Sequence, residues 1–263
     1  MPFVTAGGHR LHYEWIGPGP DAAPTLVLLH YGLGCVETWF DFPDRLAAAT
    51  ECGALVYSRW GHGRSDPVPP APRHITFFEE EAWTALPEIV AALGVRDAVL
   101  VGHSDGGTIA LLYAAKPQPV RARAVVSIAA HVFYDISALA SINAGRKDWD
   151  RGDLRAGLER HHGANAEPMY RSWSDLWLDP KSRDWSAEEQ LPAVTCPTLV
   201  IQGSEDAFCD PGQVDAIAGG VSGPSEALIL PGIGHIPHRE AAEQTLETIA
   251  AFLARLDPPI PGE

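Results

Sequence analysis

Gly102-His103-Ser104-Asp105-Gly106 follows directly on the apolar run Ala98 to Val101 and opens into a helix-like segment, Thr108 to Ala115. A strand that turns sharply into a helix at Gly-x-Ser-x-Gly is the setting in which a serine hydroxyl becomes a nucleophile. The glycines answer a steric need, because a Cβ at 102 or 106 would strike neighbouring backbone in so tight a turn. The start of the helix leaves N–H groups free beside Ser104, where negative charge develops during acyl transfer. The competing reading is a glycine-rich turn in which Ser104 only caps the helix.

A serine hydroxyl needs a base, and the base needs an acid to orient it. Both are expected in loops at the carboxyl ends of later strands, in the order serine, acid, histidine. Thr198-Leu-Val-Ile-Gln202 runs into Gly203-Ser204-Glu205-Asp206, and the last strand runs into Pro231-Gly232-Ile233-Gly234-His235. Ser104, Asp206 and His235 are therefore the expected catalytic residues. Asp206 competes with a plain turn role and with Glu205 and Asp210 as the acid. His235 competes with His238, which is expected to sit exposed inside the final helix.

A tetrahedral intermediate also needs donors for its oxyanion. The N–H of Asp105 is one candidate. The other lies in His30-Tyr31-Gly32-Leu33-Gly34, after the apolar run Thr25 to His30, as the N–H of Gly32 or of Leu33. A glycine-rich turn without a ligand is the alternative.

These residues need a scaffold. Phe3 to Ala6 and Arg10 to Ile16 flank Gly7-Gly8 and read as a β-hairpin. Buried strands are expected at Thr25 to His30, Ala54 to Tyr57, Ala98 to Val101, Ala122 to Ala129 and Thr198 to Gln202, with a last strand at Glu226 to Leu230. Helices are expected at Glu37 to Thr50, at Phe77 to Leu93 with a kink at Pro87, at Thr108 to Ala115, and at Pro237 to Leu256. Pro67 to Pro72 reads as a loop, and Pro258 to Glu263 as a frayed tail. Alternating strand and helix imply an α/β fold with a mostly parallel sheet covered on both faces.

From His131 to about Gln190 the alternation stops. This polar, helix-like stretch holds Trp149, Trp173, Trp177 and Trp185 of the eight tryptophans. Residues 132–190 read as a helical cap over the sheet end, inserted into a core of 1–131 and 191–263, or else as a small decoration packed by its tryptophans. Tyr31, Asp105, Trp173 and Trp177 are the expected substrate contacts.

With 34 acidic against 19 basic residues the formal net charge is −15, which disfavours nucleic acid or an anionic membrane surface as partner. No apolar run approaches a membrane span, and the first residues lack the pattern of a signal peptide. Cys35, Cys52, Cys196 and Cys209 form no Cys-x-x-Cys pair and read as free thiols, the expectation for a cytoplasmic protein. No metal site is expected, and the sequence leaves the oligomeric state open.

Five ordered motifs resemble the α/β-hydrolase superfamily, specifically its compact capped serine hydrolases. They are His30-x-Gly32-x-Gly34, Ser58-Arg59-Trp60-Gly61-His62-Gly63-Arg64-Ser65, Gly102 to Gly107, Gly203-x-x-Asp206 and Gly232-x-Gly234-His235. The resemblance spans nearly the whole chain outside residues 132–190. It implies an eight-stranded, mostly parallel sheet, hydrolysis through an acyl-enzyme, and no cofactor. Tyr31 stands where many members carry Gly, and Ser58 where many carry Asp. A serine at 104 argues against the family's dehalogenases and epoxide hydrolases, which use aspartate there. Ser104-Asp105-Gly106-Gly107 is also similar to the biphenyl-hydrolase-like enzymes. Asp105 then reads either as a solvated first-turn residue or as a pocket residue attracting a cationic group such as an α-amino ester. The expected substrate is a small or medium ester, lactone or thioester with an apolar acyl part. Alternatives are a carbon–carbon bond hydrolase using the same residues, and a small-molecule receptor that retains them.

Overall fold

A computed structural model of the chain describes residues 1–69 and 73–256; the expected frayed tail and residues 70–72 of the proline-rich loop lie outside the described residues. Eight strands form one sheet: β1 (Phe3–Ala6), β2 (His9–Ile16), β3 (Thr25–Leu29), β4 (Gly53–Tyr57), β5 (Ala98–His103), β6 (Ala122–Ile128), β7 (Thr198–Gly203) and β8 (Ser225–Leu230). Their order is β1-β2-β4-β3-β5-β6-β7-β8. β1 pairs antiparallel with β2 and β2 with β4; every other pairing is parallel.

The continuous apolar runs are explained by burial on both faces. Leu26, Leu28, Val99, Val101, Val126 and Ile201 face one side of the sheet; Val27, Leu29, Leu100, Val125 and Val200 face the other. The two-residue period of a strand sends alternate side chains to opposite helical layers. One layer holds α1 (Phe42–Thr50) and α10 (Ala242–Ala254). The other holds α3 (Leu86–Ala92), α4 (Asp105–Ala114) and α8 (Gly212–Gly220).

Two expected helices are broken, and a third, Phe77 to Leu93, continues through a π turn. Glu37 to Thr50 splits into a 3-10 turn, Val36–Trp39, and α1, because Phe40 turns left-handed at φ 53°. Phe77 to Leu93 becomes α2 (Phe77–Glu80), a wide π turn at Glu81–Ala85, and α3. Pro87 has no N–H to donate, and the wide turn just before it, closed by Leu86 N–H on the Glu81 carbonyl, takes up the mismatch. Pro237 to Leu256 becomes α9 (Pro237–Glu240) and α10, separated at Ala241. Thr245 Oγ1 donates to the Pro237 carbonyl across that break at 3.0 Å.

Between β6 and β7 the chain leaves the sheet. It forms α5 (Ala138–Arg151), α6 (Asp153–His162) and α7 (Ala166–Leu178). Trp149 stacks on Tyr170 at 4.4 Å, and with Leu158 and Met169 they make a small apolar nucleus of their own. The two ends of the excursion meet at a bridge between Phe133 and Ser186, with Ala187 N–H on the Val132 carbonyl at 2.7 Å. Among the described residues no helix is long and apolar enough to cross a membrane.

Candidate active site

β5 delivers Ser104 to the end of the sheet with φ 53° and ψ −119°, a conformation costly for a residue bearing a Cβ. The turn holds because its neighbours are glycines. A Cβ on Gly102 would run into the Gly106 carbonyl, and one on Gly106 into the Leu29 carbonyl. Ser104 N–H donates to the Ile128 carbonyl at 2.8 Å, and its own carbonyl accepts from Gly107 N–H at 2.8 Å. The Ser104 side chain therefore stands at the start of α4, on the wall of a cavity of about 150 Å³.

Asp206 and His235 come together from the loops after β7 and β8. His235 Nδ1 lies 2.9 and 2.8 Å from the two carboxylate oxygens of Asp206. The Phe208 and Cys209 N–H groups donate to Asp206 Oδ1 at 2.8 and 3.1 Å, fixing the carboxylate. Because a carboxylate accepts, the proton in this bond is on Nδ1, and the Nδ1–H tautomer leaves Nε2 able to accept. The ring packs against Phe208, and the His235 carbonyl accepts from His103 Nε2–H at 2.7 Å. Burial holds the His103 imidazole well below its usual range, so it is neutral. His235 lines the same cavity as Ser104.

The other sequence candidates stand elsewhere. Glu205 is exposed, and Asp210, also exposed, accepts from Gly212 N–H. His238 is buried rather than exposed, at 3% accessibility. The single turn α9 folds its ring against Trp39 at 4.7 Å and Phe42 at 5.4 Å, and burial lowers its pKa to about 3.

The loop after β3 is pinned by its carbonyls. Arg59, 1% exposed, donates to the His30 carbonyl and, at 3.0 Å, to that of Tyr31. The Tyr31 carbonyl also accepts from His30 Nδ1–H at 2.7 Å and Gly34 N–H at 3.0 Å. The Gly32 carbonyl takes His62 Nε2–H at 3.0 Å, and the Leu33 carbonyl takes His162 Nε2–H at 3.1 Å. In a trans peptide the N–H points opposite to the carbonyl. The Gly32 and Leu33 N–H groups are thereby turned away from these donors, in residues that line the cavity. His162, from the end of α6, also accepts Gly63 N–H at Nδ1 (2.9 Å), and Asn165 donates to the Gly63 and Ser65 carbonyls. The insertion is thus hydrogen-bonded both to this loop and to the turn at 58–65.

Tyr31, Trp173 and Trp177 also line the cavity, with Ala138 and Ile142 from the insertion and Phe208 and Ile236 from the core. Trp173 stands over Gly32 so closely that a Cβ there would strike its indole. Burial pushes the Tyr31 phenol up to about 12. Asp105 is not the solvated first-turn residue of one expectation: the elbow turns it inward, and its side chain is 3% exposed. Its carboxylate lies 3.8 Å from Arg59 and 3.6 Å from His131 Nε2. Burial raises its pKa, and Arg59 opposes that shift.

Asp206, Cys209 and His235 also place three ligand-type atoms within 4.8 Å of one another. Their chemistry does not suit a metal. The carboxylate and imidazole are committed to each other, the Cys209 thiol donates to the Ala129 carbonyl at 3.3 Å, and burial pushes that thiol well above its usual range.

Sequence reasoning assigned no function to Arg59, His62, His103, His131 or His162. Arg59 and His62 sit in the Ser58–Ser65 motif, His103 in Gly102–Gly107, and His131 at a strand's carboxyl end, where ligand-contacting residues gather. For His162 the sequence carries no signal.

Residues 24–190 match the family described as alpha/beta hydrolase fold. The chain belongs to the α/β-hydrolase fold family. This α/β hydrolase is 28% identical over 259 residues to the serine hydrolase BPHL of Mus musculus, covering 95% of the chain and 85% of that relative. It is 23% identical over 297 residues to a proline iminopeptidase of Lactobacillus crispatus (strain ST1), covering 98% of each. Its backbone resembles that of the enol-lactonase from Burkholderia xenovorans LB400, with a TM-score of 0.75 at 21% identity, over 97% of this chain and 100% of the other. Family and relatives together make the protein a hydrolase.

Proposed function

We propose that this α/β hydrolase cleaves a small or medium carboxylic ester, lactone or thioester through an acyl-enzyme on Ser104. The observation that carries the reading is the His235–Asp206 pair, with His235 and Ser104 on the wall of one cavity. Ser104 Oγ attacks the substrate carbonyl while His235 Nε2 takes its proton. Asp206 stays ionised, holding the imidazole in the Nδ1–H tautomer and stabilising the imidazolium. The Asp105 N–H and the Gly32 or Leu33 N–H receive the oxyanion, each worth about 3 kcal/mol of barrier. His235 then gives its proton to the leaving oxygen or sulfur as the carbonyl re-forms and that bond breaks. Water repeats the cycle: His235 takes its proton, the hydroxide adds to the acyl carbon, and the acid leaves as Ser104 recovers its hydrogen.

Residues 132–190 act as a cap in this reading. Ala138, Ile142, Trp173 and Trp177 give the acyl part an apolar wall, which favours uncharged chains. A small-molecule substrate is the only partner this mechanism requires.

The test is labelling with a fluorophosphonate together with turnover of p-nitrophenyl butyrate. The wild type is expected to react at Ser104, and Ser104→Ala to lose labelling and at least about 10³-fold in kcat. Unchanged turnover in Ser104→Ala would end the proposal.

A further inference from the structure

His131 leaves the end of β6 with its carbonyl fixed by Thr108 Oγ1–H at 2.6 Å. Phe78, Trp177 and Trp185 surround its ring edge-on, with centroids 5.5, 4.7 and 5.7 Å away. None of these three rings is hydrogen-bonded to Nε2. Nε2 is buried and has no partner among the described residues. Asp105 Oδ1, at 3.6 Å, lies beyond hydrogen-bond reach. Native interiors rarely leave such a nitrogen unmatched, and the residue lines the same cavity as Ser104 and Asp105.

We propose that His131 and Asp105 together recognise a hydroxyl group on the acyl part of the substrate, close to the scissile carbonyl. This rests on the serine-hydrolase reading above and names its substrate class: esters or thioesters of short hydroxy acids. One oxygen touching both atoms must accept from one and donate to the other. A hydroxyl does so, accepting from His131 Nε2–H and donating to Asp105 Oδ1. Burial takes His131 down to about 3, so the ring is neutral at neutral pH, and the Asp105 carboxylate 3.6 Å away favours the tautomer with its one proton on Nε2. An ammonium group fits less well, because it cannot accept. It would also meet the Arg59 guanidinium, already 3.8 Å from the other oxygen of the same carboxylate. Asp105 follows Ser104 directly, so the hydroxyl falls on the carbon next to the carbonyl or on the one beyond it.

The experiment compares kcat/KM for three kinds of p-nitrophenyl ester: butyrate, its 2- and 3-hydroxy derivatives, and its 2- and 3-amino derivatives. The wild type is expected to favour at least one hydroxy ester over the unsubstituted one by about tenfold or more, and not to favour the amino esters. In His131→Phe the hydroxy-to-unsubstituted ratio falls to about one. His131→Gln, whose amide N–H can donate, restores part of it. A wild-type ratio of one or less for both hydroxy esters, a preference for an amino ester, or an unchanged ratio in His131→Phe would overturn the proposal. The wild-type ratio is informative whether or not the variants fold. Absence of turnover on all of these esters would strike the hydrolase reading instead, whereas turnover of butyrate without a hydroxyl preference strikes this proposal alone.

Discussion

Arg59 donates to the carbonyl of Tyr31 at 3.0 Å, so a turn that follows β4 sets the backbone of the loop that follows β3. The same guanidinium reaches the His30 carbonyl and lies near the Asp105 carboxylate, joining three segments at the end of the sheet. Removing a buried cation used this way strands the groups it holds.

Arg59→Met is therefore expected to destabilise the protein by about 3–5 kcal/mol, since Asp105 loses its cation and two carbonyls lose a donor. Arg59→Lys keeps the charge but cannot span both carbonyls, and should fall between. Urea denaturation measures the stability, and kcat on p-nitrophenyl butyrate reports the loop. A wild-type kcat in Arg59→Met would show that the loop holds its shape alone.

Asp206→Asn removes the acceptor that fixes the His235 tautomer. A fall in kcat of about 10⁴-fold is expected, with KM changing little. Glu205→Gln, one residue away and exposed, serves as the comparison and should keep kcat near wild type.

Two glycines should respond in opposite ways to alanine. Gly106→Ala drives a methyl into the Leu29 carbonyl and is expected to cost several kcal/mol or prevent folding. Gly219 in α8 has open space around its Cβ position, so Gly219→Ala should stabilise by about 0.5–1 kcal/mol. Thermal unfolding of the two variants reads both signs.

Acid should weaken the fold well above the range of its carboxylates. Burial lowers His162 to about 4 and His131 and His238 to about 3, all below the usual 6.5. The unfolded chain then binds more protons than the native one at intermediate pH, so stability is full above pH 6.5 and is lost as pH falls toward 4 and below. For His162 the loss is on the order of 3 kcal/mol. Melting temperatures from pH 8 to pH 4 should fall through that window, with a shallower slope in His162→Gln. A flat profile would contradict neutral burial of these rings.

Much of this arrangement is legible in the chain because its signals are local. Apolar runs announce two-sided strands, and the glycines of the elbow announce a turn no Cβ can enter. The break at Ala241 and the burial of His238 carry no such mark. Both depend on how α9 meets Trp39 and Phe42, residues some two hundred positions away, and amphipathic periodicity reads only as far as the neighbouring turn. The same holds for His162, whose role is set by what Leu33 and Gly63 present to it across the fold. His131 and Arg59 lay in plain view, but their meaning is three-dimensional. An imidazole becomes informative when three aromatic walls close around it, and a guanidinium when two carbonyls turn toward it.

The Phe133–Ser186 bridge gives the excursion between β6 and β7 a closed base. Below it β6 and β7 pair directly, from Val125 with Thr198 to Ile128 with Ile201. The sheet is held by its own strand pairing, and the excursion by its closed base and its ties to the loops after β3 and β4.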